Sequence, residues 1–188
     1  MKKLNILVVA LLAAGVASAQ TWSLDKAHAK LGFVTTHLLI SEVEGNFKSF
    51  DATVTSTKDD FSDAVIELTA DVASINTDNE GRDKHLKSPD FFDAEKFSTL
   101  SFKSKSFTKV DGKKYKLTGD LTMHGITKQV TLDVVYNGTI THPFNKKPVA
   151  GFKITGTIKR SDFSVGSVPA AVVSDDIVIS GNAEFIKG

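Results

Sequence analysis

The sequence has no cysteine, which excludes disulfide bonds, thiolate metal sites and cysteine nucleophiles. Polar aromatic residues are also scarce, with one Trp and two Tyr against thirteen Phe. Beyond the N-terminal leader, no apolar run approaches the roughly 18 residues of a membrane-spanning helix. The 23 basic and 22 acidic residues nearly balance, so the chain has no overall attraction for nucleic acid or an anionic membrane.

Recognisable catalytic motifs are absent as well. The sequence has no Gly-x-Ser-x-Gly elbow, phosphate-binding loop or dinucleotide fingerprint. Its histidines lack the i,i+2 or i,i+4 spacing that favours a local metal site. In the pairs Asp59-Asp60 and Asp175-Asp176, adjacent side chains on a strand would point to opposite faces and form no acid–base couple. We therefore expect no catalytic residue, no metal site and no enzymatic activity.

The N-terminus has the layout of a secretory signal. Lys2 and Lys3 precede an apolar run over residues 4–16, and Ala17-Ser18-Ala19 supplies small residues for cleavage. This pattern predicts a signal peptide at residues 1–19 and a secreted mature chain of one domain at residues 20–188. The mature chain is long enough to bury a core without disulfides, and we expect no transmembrane segment in it.

Period-two alternation predicts strands through most of the mature chain. In residues 116–124, Leu117, Leu121 and Met123 share one face with Gly119, whereas threonines and an aspartate occupy the other. The same alternation predicts strands at residues 65–75, 129–136, 152–159 and 177–185, and further strands are expected near 21–25, 30–37, 45–56 and 98–109.

Turn residues and internal glycines indicate how these strands are arranged. His124-Gly125, Asn137-Gly138 and Asp111-Gly112 are typical of hairpin turns. Gly119, within a predicted strand, permits the sharp bends that barrel closure requires. Short strands with one apolar face fit either a sandwich or a barrel, and the bends favour the barrel.

Residues 77–95 break the alternation. Thr77 and Glu80 have capping-box spacing, which predicts a short helix that starts with Thr77 as its N-cap and ends before Ser88-Pro89. We interpret the segment as a helix-containing excursion across one barrel mouth. Its polar cluster around Arg82, Asp83 and His85 either closes the barrel as a salt-bridged plug or holds the polar head of a ligand.

Phenylalanine-rich strands favour a dry interior, because Phe cannot form hydrogen bonds. An eight-stranded barrel is wide enough either to be filled by side chains or to hold one small ligand, and the sequence leaves both alternatives open. If a lipid is bound, its predicted contacts are Phe33, His37, Phe47, Leu68, Phe91, Phe92, Phe102, Leu121, Leu132 and Ile154. Of these, His37 is also a candidate for orienting the polar end of the lipid.

Several motifs resemble those of the YceI-like proteins. The opening Trp22-Ser23-Leu24-Asp25 is followed by Gly45-Asn46-Phe47 and by two specific blocks at residues 82–93 and 117–128. Ala150-Gly151-Phe152, Arg160-Ser161-Asp162-Phe163 and the end of the chain at residues 175–179 continue the match in family order. The resemblance covers the mature chain from residue 21 onward.

The resemblance implies an all-β fold: an extended eight-stranded antiparallel lipocalin-like barrel with a short helical segment near residues 77–88. It also implies location in the periplasm of a Gram-negative bacterium and binding of a polyisoprenoid, a quinone-like lipid or a similar long-chain amphiphile. Members of the family are often homodimers. This sequence departs from the family at Asn145 and Ser164, where glycine is usual.

Three functions therefore stand as alternatives. The first is a periplasmic binding or carrier protein for a long-chain isoprenoid or fatty amphiphile, which needs no cofactor. The second is a structural or adhesion barrel with a packed interior and no ligand. The third is a lipid-modifying enzyme, which a strongly perturbed histidine or carboxylate at the cavity wall would favour.

Overall fold

The computed structural model describes residues 19–188. The predicted signal peptide lies outside the described residues except for Ala19, and cleavage after that residue stays a prediction. The described part contains ten strands and one α-helix. Their bounds are β1 (Gln20–His37), β2 (Ser41–Phe47), β3 (Phe50–Ser56), β4 (Val65–Asp71), β5 (Ile75–Asn76), α1 (Glu80–Lys87), β6 (Thr99–Asp111), β7 (Lys114–Met123), β8 (Ile126–Thr141), β9 (Pro148–Lys159) and β10 (Asp176–Lys187).

The strands form a closed antiparallel barrel, as the resemblance implied. In the ring order β1-β3-β4-β6-β7-β8-β9-β10, the last strand pairs again with the first, which closes eight strands into a barrel. β2 extends the path of β3 along β1, and β5 extends the path of β4 along β2. Two 3-10 turns, Val72–Ser74 and Arg160–Phe163, interrupt the strand pattern.

The predicted two-sided character of the strands is confirmed. Along β7, Tyr115, Leu117, Leu121 and Met123 are buried, whereas the intervening side chains are exposed or half-buried. The outer faces carry cross-strand ion pairs, such as Lys103 with Glu67 at 2.8 Å and Lys116 with Asp133 at 2.6 Å. Apolar side chains therefore project into the barrel and charged ones into solvent, as antiparallel sheets with one wet face require.

The structure corrects the prediction of a hairpin turn at Asn137-Gly138. β8 runs through both residues, and the register with β9 shifts between Tyr136 and Gly138. The positive φ of Gly138, 126°, accommodates this bulge within a continuous strand. The turns at His124-Gly125 and Asp111-Gly112 are confirmed, since each connects two consecutive paired strands.

The two strands predicted at residues 21–25 and 30–37 are one strand. β1 runs without interruption from Gln20 to His37, and its register with β10 shifts between Leu24 and Ala29. This bulge lets one long strand serve both ends of the barrel. The strand predicted at 45–56 is instead divided, because Lys48 and Ser49 separate β2 from β3.

Gly119 gives the inner wall room for a neighbouring aromatic ring. A Cβ atom at this position would lie 2.5 Å from the carbonyl oxygen of Lys103 and would also meet the ring of Phe102. The backbone oxygen cannot move aside without disturbing the β6–β7 pairing. The glycine is therefore required for the close approach of these strands and not only for a bend.

We expect Gly119→Ala to destabilise the barrel by about 1–3 kcal/mol, as overpacking does in a filled wall. Gly151→Ala is the matched control, because a Cβ in that strand position meets Asn137 at an ordinary 3.6 Å. The measurement is urea unfolding of both variants. Equal stabilities for the two variants would show that the wall at Gly119 can relax.

Candidate functional site

One end of the barrel, here called the base, is sealed by aromatic side chains. Phe61, from the β3–β4 loop, is 1% exposed and turns inward. Its ring packs at centroid distances of 5.1 Å from Trp22 and 5.3 Å from both Tyr136 and Phe152. These contacts are edge-on, the geometry that aromatic rings prefer. The base therefore has no opening at this point.

The loop that carries Phe61 is itself held by a carboxylate. Asp63 accepts hydrogen bonds from the hydroxyls of Ser56 and Thr57 and from the backbone N–H of Thr57. These bonds, that of Ser56 first, hold the pKa of Asp63 well below its usual range. Tyr115 adds a hydrogen bond from its hydroxyl to the carbonyl oxygen of Asp60, at 2.8 Å. The hydrogen bonds of Asp63 and Tyr115 therefore hold the β3–β4 loop at two points.

An apolar cavity occupies the interior above the base. Its volume is about 230 Å³, and its wall includes side chains from every strand of the closed ring. It extends from Leu24 and Val134 near the base to Thr35 and Val173 at the opposite end, here called the mouth. Protein interiors are normally packed with few voids larger than a water molecule, so this barrel is not filled by its own side chains.

The exposure of the inner residues leads to the same conclusion. Leu68, Leu132 and Ile154 lie on the inner face, yet each is only half-buried. All three line the cavity, which is the space that leaves part of their surface accessible. The sequence left open whether the barrel is filled by side chains or has room for a small ligand, and the structure has the room.

Most of the residues predicted to contact a lipid meet at this cavity. Nine line its wall: Phe33, Phe47, Leu68, Phe91, Phe92, Phe102, Leu121, Leu132 and Ile154. His37 is not among the lining residues and lies at the end of β1, where it forms a β-bridge with Val173. Whether the nine contact a bound lipid stays a prediction.

The excursion across the mouth is present, but its helix begins later than predicted. The N-cap of α1 is Asn79, whose side-chain oxygen accepts a hydrogen bond from the backbone N–H of Arg82 at 2.9 Å. The prediction of Thr77 as N-cap is therefore wrong. Thr77 is buried, and its hydroxyl and N–H both donate to the carboxylate of Asp83, at 2.5 and 2.8 Å.

The polar cluster of this segment is largely engaged within it. Arg82 donates to the hydroxyl and carbonyl oxygens of Thr77, each at 2.7 Å. His85 is exposed, stands edge-on to the ring of Phe91 at 5.0 Å and lies 3.4 Å from a carboxylate oxygen of Asp90. Arg82, Asp83 and His85 are absent from the cavity wall, which their neighbour Leu86 joins. The contacts of Arg82 and Asp83 are thus made within their own segment, and whether the cluster also contacts a lipid head group stays a prediction.

A second segment, residues 160–175, completes the mouth and depends on Arg160. This side chain is 6% exposed, and its guanidinium donates to five backbone carbonyls of the segment. The distances range from 2.6 Å, to Gly166 and Val168, to 3.2 Å, to Val165. The remaining two bonds reach Val173 and Ser174. Sequence reasoning noted Arg160 only as part of a family motif and missed this role.

The two mouth segments meet at Gly166. A Cβ atom there would lie 2.6 Å from the ring of Phe91, and the φ of Gly166 is +72°, so the position suits glycine on both counts. Ser164 has a φ of +54°, a left-handed conformation that glycine adopts more readily than serine. The mouth is thus formed by two segments that contact each other at Gly166.

Thr35 is a polar residue in the cavity wall near the mouth. Its hydroxyl oxygen is buried and has no hydrogen-bond partner, and it is the single such side-chain atom within residues 19–188. A buried hydroxyl without a partner is destabilising, so its presence in an apolar wall calls for a ligand or water. No sequence pattern marked it, because Thr alternates with apolar residues on many strands.

A cluster with metal-binding atoms lies on the outer surface, away from the cavity wall. Donor atoms of Asp25, His28 and Glu184 lie within 4.8 Å of one another. The hydrogen bond between Asp25 and His28, at 2.9 Å, raises the pKa of His28 above its ordinary value. The ion pair between Asp25 and His28 explains the close spacing of these donor atoms.

The fold and cavity define a lipocalin-like antiparallel barrel with an apolar interior cavity. None of the helices in the described part of the chain is long and apolar enough to span a membrane.

The chain belongs to the YceI-like family, because the YceI-like domain model matches residues 22–185. A relative from Staphylococcus aureus strain N315, UPF0312 protein SA2479, is 38% identical over 169 residues, which cover 87% of this chain and 96% of the relative.

Solved structures share the fold. BcnA from Burkholderia cenocepacia superposes with a TM-score of 0.78 at 27% identity, over 86% of this chain and 98% of BcnA. A polyisoprenoid binding domain from Saccharophagus degradans, implicated in plant cell wall breakdown, superposes with a TM-score of 0.65 at 15% identity. That match covers 89% of this chain and 98% of the domain, and at this identity it shows the fold alone.

The unpartnered hydroxyl of Thr35 gives a direct test. We expect Thr35→Val to stabilise the ligand-free protein by about 1 kcal/mol, since it removes a buried polar group that has no hydrogen bond. Thr36→Val is the control: Thr36 follows on the opposite face of β1, and a change within about 0.5 kcal/mol is expected. Urea unfolding after delipidation measures both. A less stable Thr35→Val would mean that the hydroxyl has a partner in solution.

Proposed function

We propose that this chain is an exported carrier that holds one long-chain isoprenoid or similar amphiphilic lipid in its barrel. The observation that carries the proposal is the unfilled apolar cavity, which runs from the sealed base to the mouth. Burial of each methylene of a chain in such a cavity contributes about 0.8 kcal/mol. A ligand with many methylenes therefore needs few polar contacts to bind.

The comparisons support a lipid of this class. The Saccharophagus degradans domain, which has the same fold, is described as polyisoprenoid-binding. The phenylalanines of the cavity wall, among them Phe33, Phe47 and Phe102, suit a flexible unsaturated chain, because their rings offer broad apolar surfaces without hydrogen-bonding groups.

We infer that the bound lipid has its polar end at the mouth and its apolar end near the base. The base is closed by Phe61 and its aromatic neighbours and offers no polar partner to the cavity. At the mouth, the hydroxyl of Thr35 lines the cavity and lacks a hydrogen bond, whereas the guanidinium of Arg160 already donates to five backbone carbonyls. The hydroxyl of Thr35 favours an oxygen-bearing terminus there.

The place of action we propose is the periplasm. The leader at residues 1–19 has the charged, apolar and small-residue regions of a signal peptide, in that order. A homodimer, which is common in the family, is part of the same proposal and is checked by sedimentation of the mature protein.

A lipid-modifying enzyme is the less favoured alternative. No histidine or carboxylate lines the cavity within the part of the chain that the structure describes. The groups whose pKa is shifted, such as Asp25, His28 and Asp63, all lie outside its wall. Acid–base chemistry on a bound lipid would need at least one such group within hydrogen-bond reach.

The carrier proposal predicts that a larger side chain inside the cavity shortens the bound lipid. We expect Leu132→Trp to copurify with shorter chains than the unmodified protein does, because Leu132 is half-buried and faces the cavity. Thr131→Trp, one residue away on the exposed outer face, should leave the lipid unchanged. Native mass spectrometry with lipid extraction measures both.

The same pair separates the carrier from a packed structural barrel. In a packed interior, Leu132→Trp would cost about 1–3 kcal/mol of stability through overpacking. In a lipid-filled interior the ring occupies space that the lipid vacates, so stability falls less. Unmodified protein without any lipid, together with a sharply destabilised Leu132→Trp, would leave only the structural barrel.

A further inference from the structure

The hairpin between β1 and β2 presents apolar side chains to solvent. Leu38, Leu39 and Ile40 are 51%, 70% and 86% exposed, and Val172, from the second mouth segment, is 37% exposed. We refer to these four residues as the apolar tip. Three consecutive exposed aliphatic residues at a turn are unusual, because turns normally carry Gly, Asn, Asp or Pro.

The backbone of the apolar tip is also unfavourable for its residues. Leu38 and Leu39 have φ angles of 50° and 61°, in the left-handed region that bulky residues rarely adopt. Asn or Gly would form this turn with less strain and would expose no apolar surface. The sequence thus departs from two rules at one place, which is typical of a functional surface.

The apolar tip is held firmly beside the mouth. The backbone N–H of Leu38 donates to the carbonyl of Val172 at 2.9 Å, and that of Ser174 donates to Thr36 at 2.9 Å. Thr35 and Val173, close neighbours of these residues, line the cavity. Apolar surface therefore continues from the interior of the barrel, past the mouth, to the outermost turn.

We propose that the apolar tip inserts into the surface of a lipid bilayer and holds the mouth against it. This inference deepens the proposed function, on which it rests, because a long-chain lipid can then pass between bilayer and cavity without crossing water. Four partly exposed side chains are too few for a stable contact with a second protein copy, which buries about 1,200–2,000 Å² in total.

The charged residues that adjoin the apolar tip in the sequence bear on the kind of bilayer. The nearest charged residues in the sequence are Glu42 and Asp175, and both are acidic. Attraction to anionic head groups requires clustered lysines or arginines, so insertion here depends on apolar contact and suits a zwitterionic surface. Binding to such vesicles should not weaken with salt, since screening affects only charge interactions.

The opposite end of the barrel supplies a matched control. Phe144, in the β8–β9 loop, is 88% exposed and precedes Lys146 and Lys147. Its side chain is as exposed as that of Ile40 and has a basic flank in addition, but it lies at the sealed base. A change at Phe144 tests whether any exposed apolar residue on this protein would bind a bilayer.

The experiment is flotation of the mature protein with phosphatidylcholine vesicles at 0.1 and 1 M NaCl. We expect the double variant Leu39→Ser, Ile40→Ser to bind at least tenfold more weakly than the unmodified protein, and Phe144→Ser to bind as well as it does. Unchanged binding of the double variant, or loss of binding with Phe144→Ser or with salt, would overturn the proposal.

Two further readouts keep the outcomes distinct. Sedimentation of the same proteins shows whether the tip joins two copies; a dimer that the double variant dissociates, without vesicle binding, would overturn membrane docking. Lipid extraction reports on the cavity separately. If the protein carries no lipid but binds vesicles through the apolar tip, the carrier proposal is rejected and membrane docking is retained. If the protein carries lipid but does not bind vesicles, membrane docking is rejected and the carrier proposal is retained.

Discussion

The hydrogen bonds between β1 and β10 join the first strand of the domain to the last, and the remaining features depend on this closure. Pairs from Trp22 with Lys187 to Val34 with Val178 remove both edges of the sheet, which would otherwise be free to pair with other chains. Closure also fixes the diameter of the interior. Eight strands leave a space that side chains can just fill, and here small residues, such as Gly181 and Ala183, line the part that stays open.

The two ends of the barrel are closed in different ways. The base is sealed by Phe61, whose ring meets three other aromatic rings, and the loop that carries it is fixed by the hydrogen bonds of Asp63. The mouth is covered by two segments whose internal bonds are polar and self-contained, those of Thr77 with Asp83 and those of Arg160 with five carbonyls. Each segment holds its own shape, so the mouth does not depend on continuous sheet pairing.

The sequence predicts the features that depend on local periodicity and misses those that depend on distant partners. Alternation places Leu121 and Ile154 on the inner face, because a strand repeats every two residues whatever its neighbours are. It cannot choose between Thr77 and Asn79 as N-cap, since the choice depends on the bonds that Asp83 makes. It cannot separate a turn from a bulge at Gly138, because both need a positive φ. The sequence also does not reveal that the hydroxyl of Thr35 is unpartnered, because whether it has a hydrogen bond depends on residues from the rest of the barrel.

An unfilled interior sets a condition on how the proposed lipid ligand would leave the barrel. In the proposed carrier, a bound lipid would supply the dispersion contacts that Leu68 and Leu132 lack in the empty barrel. The folded protein would then be stabilised by a free energy that grows with the logarithm of ligand concentration over the dissociation constant. Release into water would lose those contacts and expose the chain at the same time. Release into another apolar phase loses much less, because the chain remains out of water throughout. A carrier with this cavity therefore exchanges its ligand efficiently only where such a phase touches the mouth, and the exposed aliphatic residues beside Thr35 and Val173 are placed where that contact would form.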